Sequence, residues 1–447
     1  MPYLPHSADD VRRALETIGV DSIDALFDEL PSTLRNPDID LPPAMDETTL
    51  MGHLRALAAK DVTAGPNFLG GGMRRHFIPA VTPALALQSE FVTAYTPYQP
   101  EVAQGVLQAT FEFQTMMSEL TGLDVANASM YDGATAVAEA ALLAVRQTRR
   151  ETVLVSRGVH PETRDVLATY LEALEIAVHT VDLEAGRTPP PGAVEDAACV
   201  IAQQPNHLGL LEDMGGLAEA AHAAGALFVA AVDPLSLAVL KPPGVYGADV
   251  AVGDGQVLGN PMAFGGPSFG FMVVRTALLR QLPGRLVGQT TDVDGKRAFV
   301  LTLQAREQHI RRSKAKSNIC SNHQLTALMA TVNMAALGPE GLREMAVGSV
   351  RQAHRLLERL RAAGAKPAVD APFFNEFPLA TRRPGGEVRS ALAARGVQAG
   401  VPLGAEYGLG NAVLLCATEL VTDRDIETLI DALRGSAELD GVAAHHG

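Results

Sequence analysis

From residue 150 to residue 275 the chain repeats one pattern: a short apolar run rich in Val, Ile and Ala, a polar turn, then a longer stretch with apolar residues at helical spacing. The runs are Val153–Ser156, Ala177–Val181, Cys199–Gln203, Leu227–Val232, Val250–Val252 and Phe269–Val274. Helical stretches such as Glu162–Leu174 and Leu217–Ala224 separate them, and Gly225 stops the second. Neighbouring parallel strands require a crossover, most often a helix, so this alternation restricts the region to an α/β architecture with a mainly parallel sheet.

The flanks follow other patterns. Residues 8 to 62 read as helical, with a cap signal at Ser7 to Asp10, apolar spacing through Val11, Leu15 and Ile18, and proline breaks at 31 and 42 to 43. A long helix from Asn322 to Ala336 is expected to lead into helices near 339 to 363 and 386 to 395 and strands near 374 to 379 and 412 to 417. The expected organisation is an N-terminal helical arm over residues 1–65, a large α/β domain over 66–330 and a small C-terminal α+β domain over 331–447.

Composition narrows the function classes. A chain of 447 residues, 47% hydrophobic and 19% charged, can bury a large core. Its net charge of -15 opposes binding to nucleic acid or to an anionic membrane. No run of about 18 apolar residues is present to span a bilayer, and the polar stretch Met1 to Asp10 lacks a signal-peptide core. Cys199, Cys320 and Cys416 are far apart and odd in number, which fits a reducing compartment, the cytoplasm, and gives no metal-ligand spacing. His53, His222, His309 and His354 are also without paired metal spacing, so no metal site is expected.

Polar residues at the ends of the apolar runs carry the chemical signal. Asn127-Ala-Ser-Met-Tyr-Asp-Gly-Ala-Thr-Ala136 is a small-residue turn entering an apolar helix, able to receive a phosphate at the helix N-terminus or simply to cap it. His160 follows one run and Asp233 another, at strand C-terminal ends where open α/β sheets bind ligands. Together they match pyridoxal-phosphate enzymes, in which a His lies over the cofactor ring and an Asp pairs with the pyridine nitrogen. Covalent attachment of that cofactor requires an amine some 20 to 30 residues beyond the aspartate. No lysine lies between Lys241 and Lys296, and Lys241 precedes the next strand in a proline turn that faces it the wrong way.

Thr96-Pro-Tyr-Gln-Pro-Glu101, Gln104-Gly-Val-Leu-Gln108, Asn127-Ala-Ser-Met-Tyr-Asp132, Gly265-Gly-Pro-Ser-Phe-Gly270, Gln304-Ala-Arg-Glu307 and Arg311-Arg-Ser-Lys-Ala-Lys-Ser-Asn-Ile319 resemble segments of the glycine cleavage system P-protein family, as does Phe68-Leu-Gly-Gly-Gly72. The resemblance covers nearly the whole chain and implies the aminotransferase-like fold type I of pyridoxal-phosphate enzymes. It also implies the first of two homologous halves, the alpha-subunit type, which joins a lysine-bearing subunit 2 in an α2β2 assembly. Gln256 falls about where the partner's lysine would lie, counted back from Gly265-Gly-Pro267, so the resemblance places the covalent pyridoxal phosphate on the partner. The family reaction decarboxylates glycine and passes the aminomethyl group to the lipoamide of H-protein.

Under that resemblance Tyr95, Tyr98, Gln99 and Glu101 are candidates for the far wall of a shared active site, in a loop stiffened by Pro97 and Pro100, or else they pack the subunit contact. Asn127, Ser129, His160, Asp233 and Gln256 would form a vestigial cofactor pocket. Arg311, Arg312, Lys314 and Lys316, with Arg306, form a basic cluster that suits a phosphate contact to the partner's cofactor, a docking patch for acidic H-protein, or a solvated helix face. The glycine turn Phe68 to Met73, followed by Arg74, Arg75 and His76, either borders the site or turns the chain. A catalytically silent scaffold that stabilises the partner and docks H-protein is the alternative to an enzyme subunit.

Overall fold

The computed structural model describes residues 5–35, 37–61, 65–191 and 196–439; His445 and His446 of the C-terminal tail lie outside them. The chain separates into a unit Met1–Thr63 and a unit Ala64–Gly447. In the first, helix Ala8–Ile18 starts at Ser7, whose hydroxyl accepts from the Asp10 N–H while the Asp10 carboxylate accepts from the Ser7 N–H. Helix Glu47–Ala58 is capped by Asp46. Between them are only two short 3-10 turns, Asp24–Phe27 and Ser32–Leu34, so the reading of residues 8 to 62 as helical was too broad. Pro37, Pro42 and Pro43 explain the extended segment before the second helix, since each lacks an N–H and fixes φ.

The second unit is built on a seven-stranded sheet in the order Val125–Ala126, Gly270–Val274, Val250–Asp254, Leu227–Val232, Ala197–Gln204, Thr152–Ser156, Ala177–Val181. The last five pair in parallel, and Gly270–Val274 runs antiparallel to both of its neighbours. The central strands are buried on both faces, which is why they read as continuous apolar runs and not as alternating ones. One face packs against helices Gly133–Thr148 and Pro161–Glu172 through Val137, Leu143, Leu167 and Leu171. The other packs against Gln104–Thr121, Met214–Ala223 and the start of Gln324–Ala362 through Phe113, Leu217 and Met334.

Helix Gln324–Ala362 leaves this core and bends at Gly338, whose φ of 63° is cheap only for glycine, followed by Pro339. The sequence signals for a helix ending at Ala336 and another beginning near 339 correspond to this bend. Beyond it, an antiparallel sheet of Glu376–Ala380, Ala412–Cys416 and Val401–Pro402 packs with helices Gly385–Ala393 and Asp423–Gly435 around Phe377, Leu392, Leu415 and Leu429. Phe68 enters the same cluster, and its strand Asn67–Phe68 pairs with Gln398–Ala399. The chain thus reaches this C-terminal lobe before it enters the large sheet. Among the described residues no helix is long and apolar enough to cross a membrane.

Phe271 is fully buried in the same core cluster as Phe113 and Phe269. Phe271→Ala is expected to remove about 3–5 kcal/mol of stability, measured by equilibrium urea unfolding; a loss below about 1 kcal/mol would contradict this packing.

Candidate functional site

The parallel strands deliver their polar successors to one cavity of about 490 Å3. Leu227–Val232 ends at Asp233, Val250–Asp254 leads to Gln256, Thr152–Ser156 leads to His160, and Ala197–Gln204 contributes Gln203. Three of the residues singled out in the sequence, His160, Asp233 and Gln256, therefore line a common space, with Glu376, His207 and the turn Gly71–Arg74 opposite. Among the described residues, no lysine lines this cavity. Lys241 is exposed, and Lys296 lies in the hairpin turn between Leu286–Thr291 and Arg297–Thr302, 3.6 Å from Asp294.

Arg74 dominates the cavity wall. Its Nη1 donates to Asp233 Oδ2 at 2.9 Å, its Nη2 to Glu376 Oε2 at 2.6 Å, and its backbone N–H to Gln256 Oε1 at 2.9 Å. Burial works against the guanidinium charge, but Glu376 and Asp233 outweigh it and hold Arg74 more firmly protonated than a free arginine. Burial likewise opposes ionisation of Glu376, and Arg74 together with the Gly71 N–H overcomes it, so this carboxyl lies below its usual range. The glycine run has a steric cause: a Cβ on Gly70 would overlap the Glu376 carboxylate, and Gly71 and Gly72 have φ of 75° and 144°. A second carboxylate of the same lobe, Glu419, accepts from Phe77 N at 2.7 Å and contacts His76 Nδ1 at 2.8 Å.

His160 precedes helix Pro161–Glu172, and its Nε2 donates to Gly71 O at 2.6 Å. His207 stands edge-on to it with ring centroids 4.8 Å apart, and Tyr407 lies on the far side of His207. Burial, reinforced by the neighbouring His160, lowers the His207 pKa to about 4. At the other end of the cavity helix Gly133–Thr148 begins. Its Thr135 N–H points to Asp132 Oδ1 at 2.7 Å, and Gly133 N–H to Asp254 Oδ2 at 3.3 Å. Burial pushes the Asp254 carboxyl up, against hydrogen bonds from Ser268, Gln256 and Gly133.

Asn127 and Ser129 do not join this cavity. Of the turn read from the sequence as Asn127 to Ala136, Asp132 to Ala134 is the part that lines the space. Asn127 is buried with its amide on Pro283 O at 3.0 Å, and Ser129 accepts from Asn322. They face a different neighbourhood, where Arg285 bonds Asn322 Oδ1 at 3.1 Å and the Tyr98 hydroxyl at 3.1 Å, its guanidinium 5.3 Å above the Tyr98 ring. Tyr95, Tyr98, Gln99 and Glu101 are all exposed on the segment before helix Gln104–Thr121. Tyr95 borders a small cavity of about 170 Å3 shared with Phe91, Asn322 and Leu325. Arg311, Arg312 and Lys314 are exposed on one-turn elements Gln308–Arg311 and Arg312–Lys314 that are too short to present a helix face, and Lys316 is half-buried just after them.

Arg74 was visible in the sequence only as the residue after a glycine turn, and Arg285, Glu376, His207 and Asp254 gave no motif. Glu376 lies 302 residues from the arginine it binds, so no local pattern links them.

The sequence profile of the glycine cleavage system P-protein matches residues 1–433. The chain belongs to this family. Among P-protein relatives, a probable glycine dehydrogenase (decarboxylating) subunit 1 of Moorella thermoacetica is 50% identical over 442 residues, covering 97% of this chain and 99% of the relative. The corresponding protein of Anoxybacillus flavithermus is 49% identical over 439 residues, covering 96% and 98%. A crystal structure of glycine decarboxylase (P-protein) of the glycine cleavage system, in inhibitor-bound form, superposes with TM-score 0.90 at 57% identity over 97% of this chain and 100% of that one. A sphingosine-1-phosphate lyase of Burkholderia pseudomallei, 14% identical, shares the fold alone, with TM-score 0.63 over 90% and 94% of the two chains. The fold is the fold type I of pyridoxal-phosphate-dependent enzymes.

The residues present in this P-protein chain do not fit pyridoxal phosphate as that fold holds it. Among the described residues no lysine lines the cavity, the strand-end aspartate already has a guanidinium partner, and carboxylates occupy the helix N-terminus.

With a folded pKa near 4 against an ordinary 6.5, His207 takes up its proton in the unfolded chain first. Its contribution to stability is full above about pH 6.5 and falls as pH drops toward 4. His207→Gln is therefore expected to lose less stability than the parent between those pH values; parallel stability–pH curves from urea titrations would refute the assignment.

Proposed function

We propose that this chain is the alpha subunit of a heteromeric glycine decarboxylase. In this reading it pairs with a homologous, lysine-bearing subunit 2 in an α2β2 assembly in the cytoplasm. Pyridoxal phosphate is carried by the partner and supplies the electron sink for decarboxylation of glycine. The aminomethyl group passes to the lipoamide of H-protein, and this chain alone is inactive. The observation that carries the reading is end-to-end identity of about half to relatives named subunit 1, joined to a glutamine, Gln256, at the strand end where an attached cofactor needs an amine.

The Tyr95 to Glu101 loop is this chain's contribution to the shared site. Arg285 fixes the Tyr98 phenol by a hydrogen bond and by stacking, and the side chains of Tyr95, Gln99 and Glu101 are exposed, free to face a bound partner. Arg311, Arg312, Lys314 and Lys316 offer cationic contacts for the partner's cofactor phosphate or for acidic H-protein. A cavity wall whose charges are paired within this chain also suits a purely structural role, in which the chain stabilises the partner and docks H-protein.

Two measurements separate these possibilities. Treatment of the purified chain with pyridoxal phosphate and borohydride should give no stoichiometric phosphopyridoxyl-lysine until the partner is added, and then only on the partner; a one-to-one label on a lysine of this chain overturns the reading. In the assembled enzyme, Tyr95→Phe and Tyr98→Phe should lower turnover about tenfold or more with sedimentation of the complex unaltered. Normal turnover in both intact complexes would assign the scaffold role.

A further inference from the structure

We infer that Arg74, with the glycine turn that carries it, takes up the polar groups that would hold the cofactor, and that the wall of the fold's cofactor pocket has become a built-in electrostatic clamp. This deepens the reading that the partner carries pyridoxal phosphate, but its evidence lies in the polar groups of this cavity.

Each feature that would hold the cofactor is already engaged. A protonated pyridine nitrogen needs a free carboxylate, and both oxygens of Asp233 are taken: Oδ2 by Arg74 at 2.9 Å and Oδ1 by the Leu235 N–H at 2.9 Å. A ring stacked on His160 needs an imidazole free to turn onto it, and the turn holds this one by its edge, Nε2 donating to Gly71 O at 2.6 Å. Gln256 is tied at both ends of its amide, to Arg74 N and to Asn260 O at 2.8 Å. A phosphate needs free N–H groups and cations, whereas the helix start at Gly133 is turned to Asp132 and Asp254. Among the described residues lining the cavity, Arg74 is the one guanidinium or ammonium, and it sits at the ring end.

The charge pattern of a bound cofactor is thus reproduced by the chain itself, cation beside Asp233 and anions at the helix N-terminus. The consequence is mechanical. Through one side chain the segment at residue 74 is joined to a strand end 159 residues away and to the C-terminal lobe 302 residues away. Removing one carboxylate leaves the guanidinium one partner, and removing both leaves a buried charge with none, so the two losses cannot be independent.

A thermodynamic cycle on the full-length chain tests the clamp: Asp233→Asn, Glu376→Gln and the pair, read as thermal unfolding midpoints with and without the partner subunit. Each single variant is expected to lower the midpoint by a few degrees and the pair by clearly more than the sum. A pair that no longer folds while both singles do counts with that outcome; additive midpoints overturn the clamp. For the displaced cofactor, Gln256→Lys is compared with Gln256→Lys/Arg74→Ala after pyridoxal phosphate and borohydride, by peptide mass spectrometry. The phosphopyridoxyl yield at position 256 should rise at least tenfold when Arg74 is removed, and equal yields, including none in either, overturn the displacement. A label on a native lysine of the unaltered chain would sink the split-cofactor reading without touching the midpoint cycle.

Discussion

A guanidinium buried between two carboxylates holds three distant parts of the second unit in register. Taking Arg74, Asp233 and Glu376 out of water costs several kcal/mol per ion, so the arrangement persists only because each charge meets its opposite at hydrogen-bond distance. The strand end, the glycine turn and the first residue of the C-terminal sheet are therefore held at fixed spacing from one another. Glu419 repeats the device a little further along, tying His76 and Phe77 to the same lobe. Residues 67 to 77 thus pair with the C-terminal lobe, cross the mouth of the large sheet and return to the lobe.

The sheet supplies the other half of the arrangement. Parallel strands with short turns at their C-terminal ends place Asp233, Gln256 and His160 on one rim although they are far apart in sequence. In a fold that uses this rim for an anionic, aromatic cofactor, the same geometry here presents carboxylates at the helix start and an arginine at the strand-end aspartate. Electrostatics, more than shape, makes the space unlike a cofactor site. On another part of the unit, Tyr98, Arg285, Asn322 and Ser129 form a separate polar chain that ends at an exposed loop.

How much of this could be read in advance depended on range. The central strands were legible because burial on both faces leaves no room for polar residues, and Leu227–Val232 was read to its exact ends. The cap at Ser7 and Asp10 was legible because its partners are three residues apart. Residues 8 to 62 were overread as helix because apolar spacing persisted while the prolines at 37, 42 and 43 removed backbone donors. Within the turn Asn127 to Ala136 the sequence singled out Asn127 and Ser129, because small polar residues precede the helix for several positions and only the tertiary structure shows that Asp132 to Ala134 face the cavity.

The alternation of strands and helices from residue 150 to 275, the strand-end positions of His160 and Asp233, and the lack of a lysine between Lys241 and Lys296 were determined by the sequence alone. Hydrophobic periodicity and the identity of a side chain are local properties, written residue by residue. Which charges meet in the cavity wall was decided only by the tertiary structure. The Arg74–Asp233 and Arg74–Glu376 contacts span 159 and 302 residues, and no pattern in a single chain states which of its charges will meet. That pairing is set by burial, which leaves each charge no stable partner except the others brought to the same place.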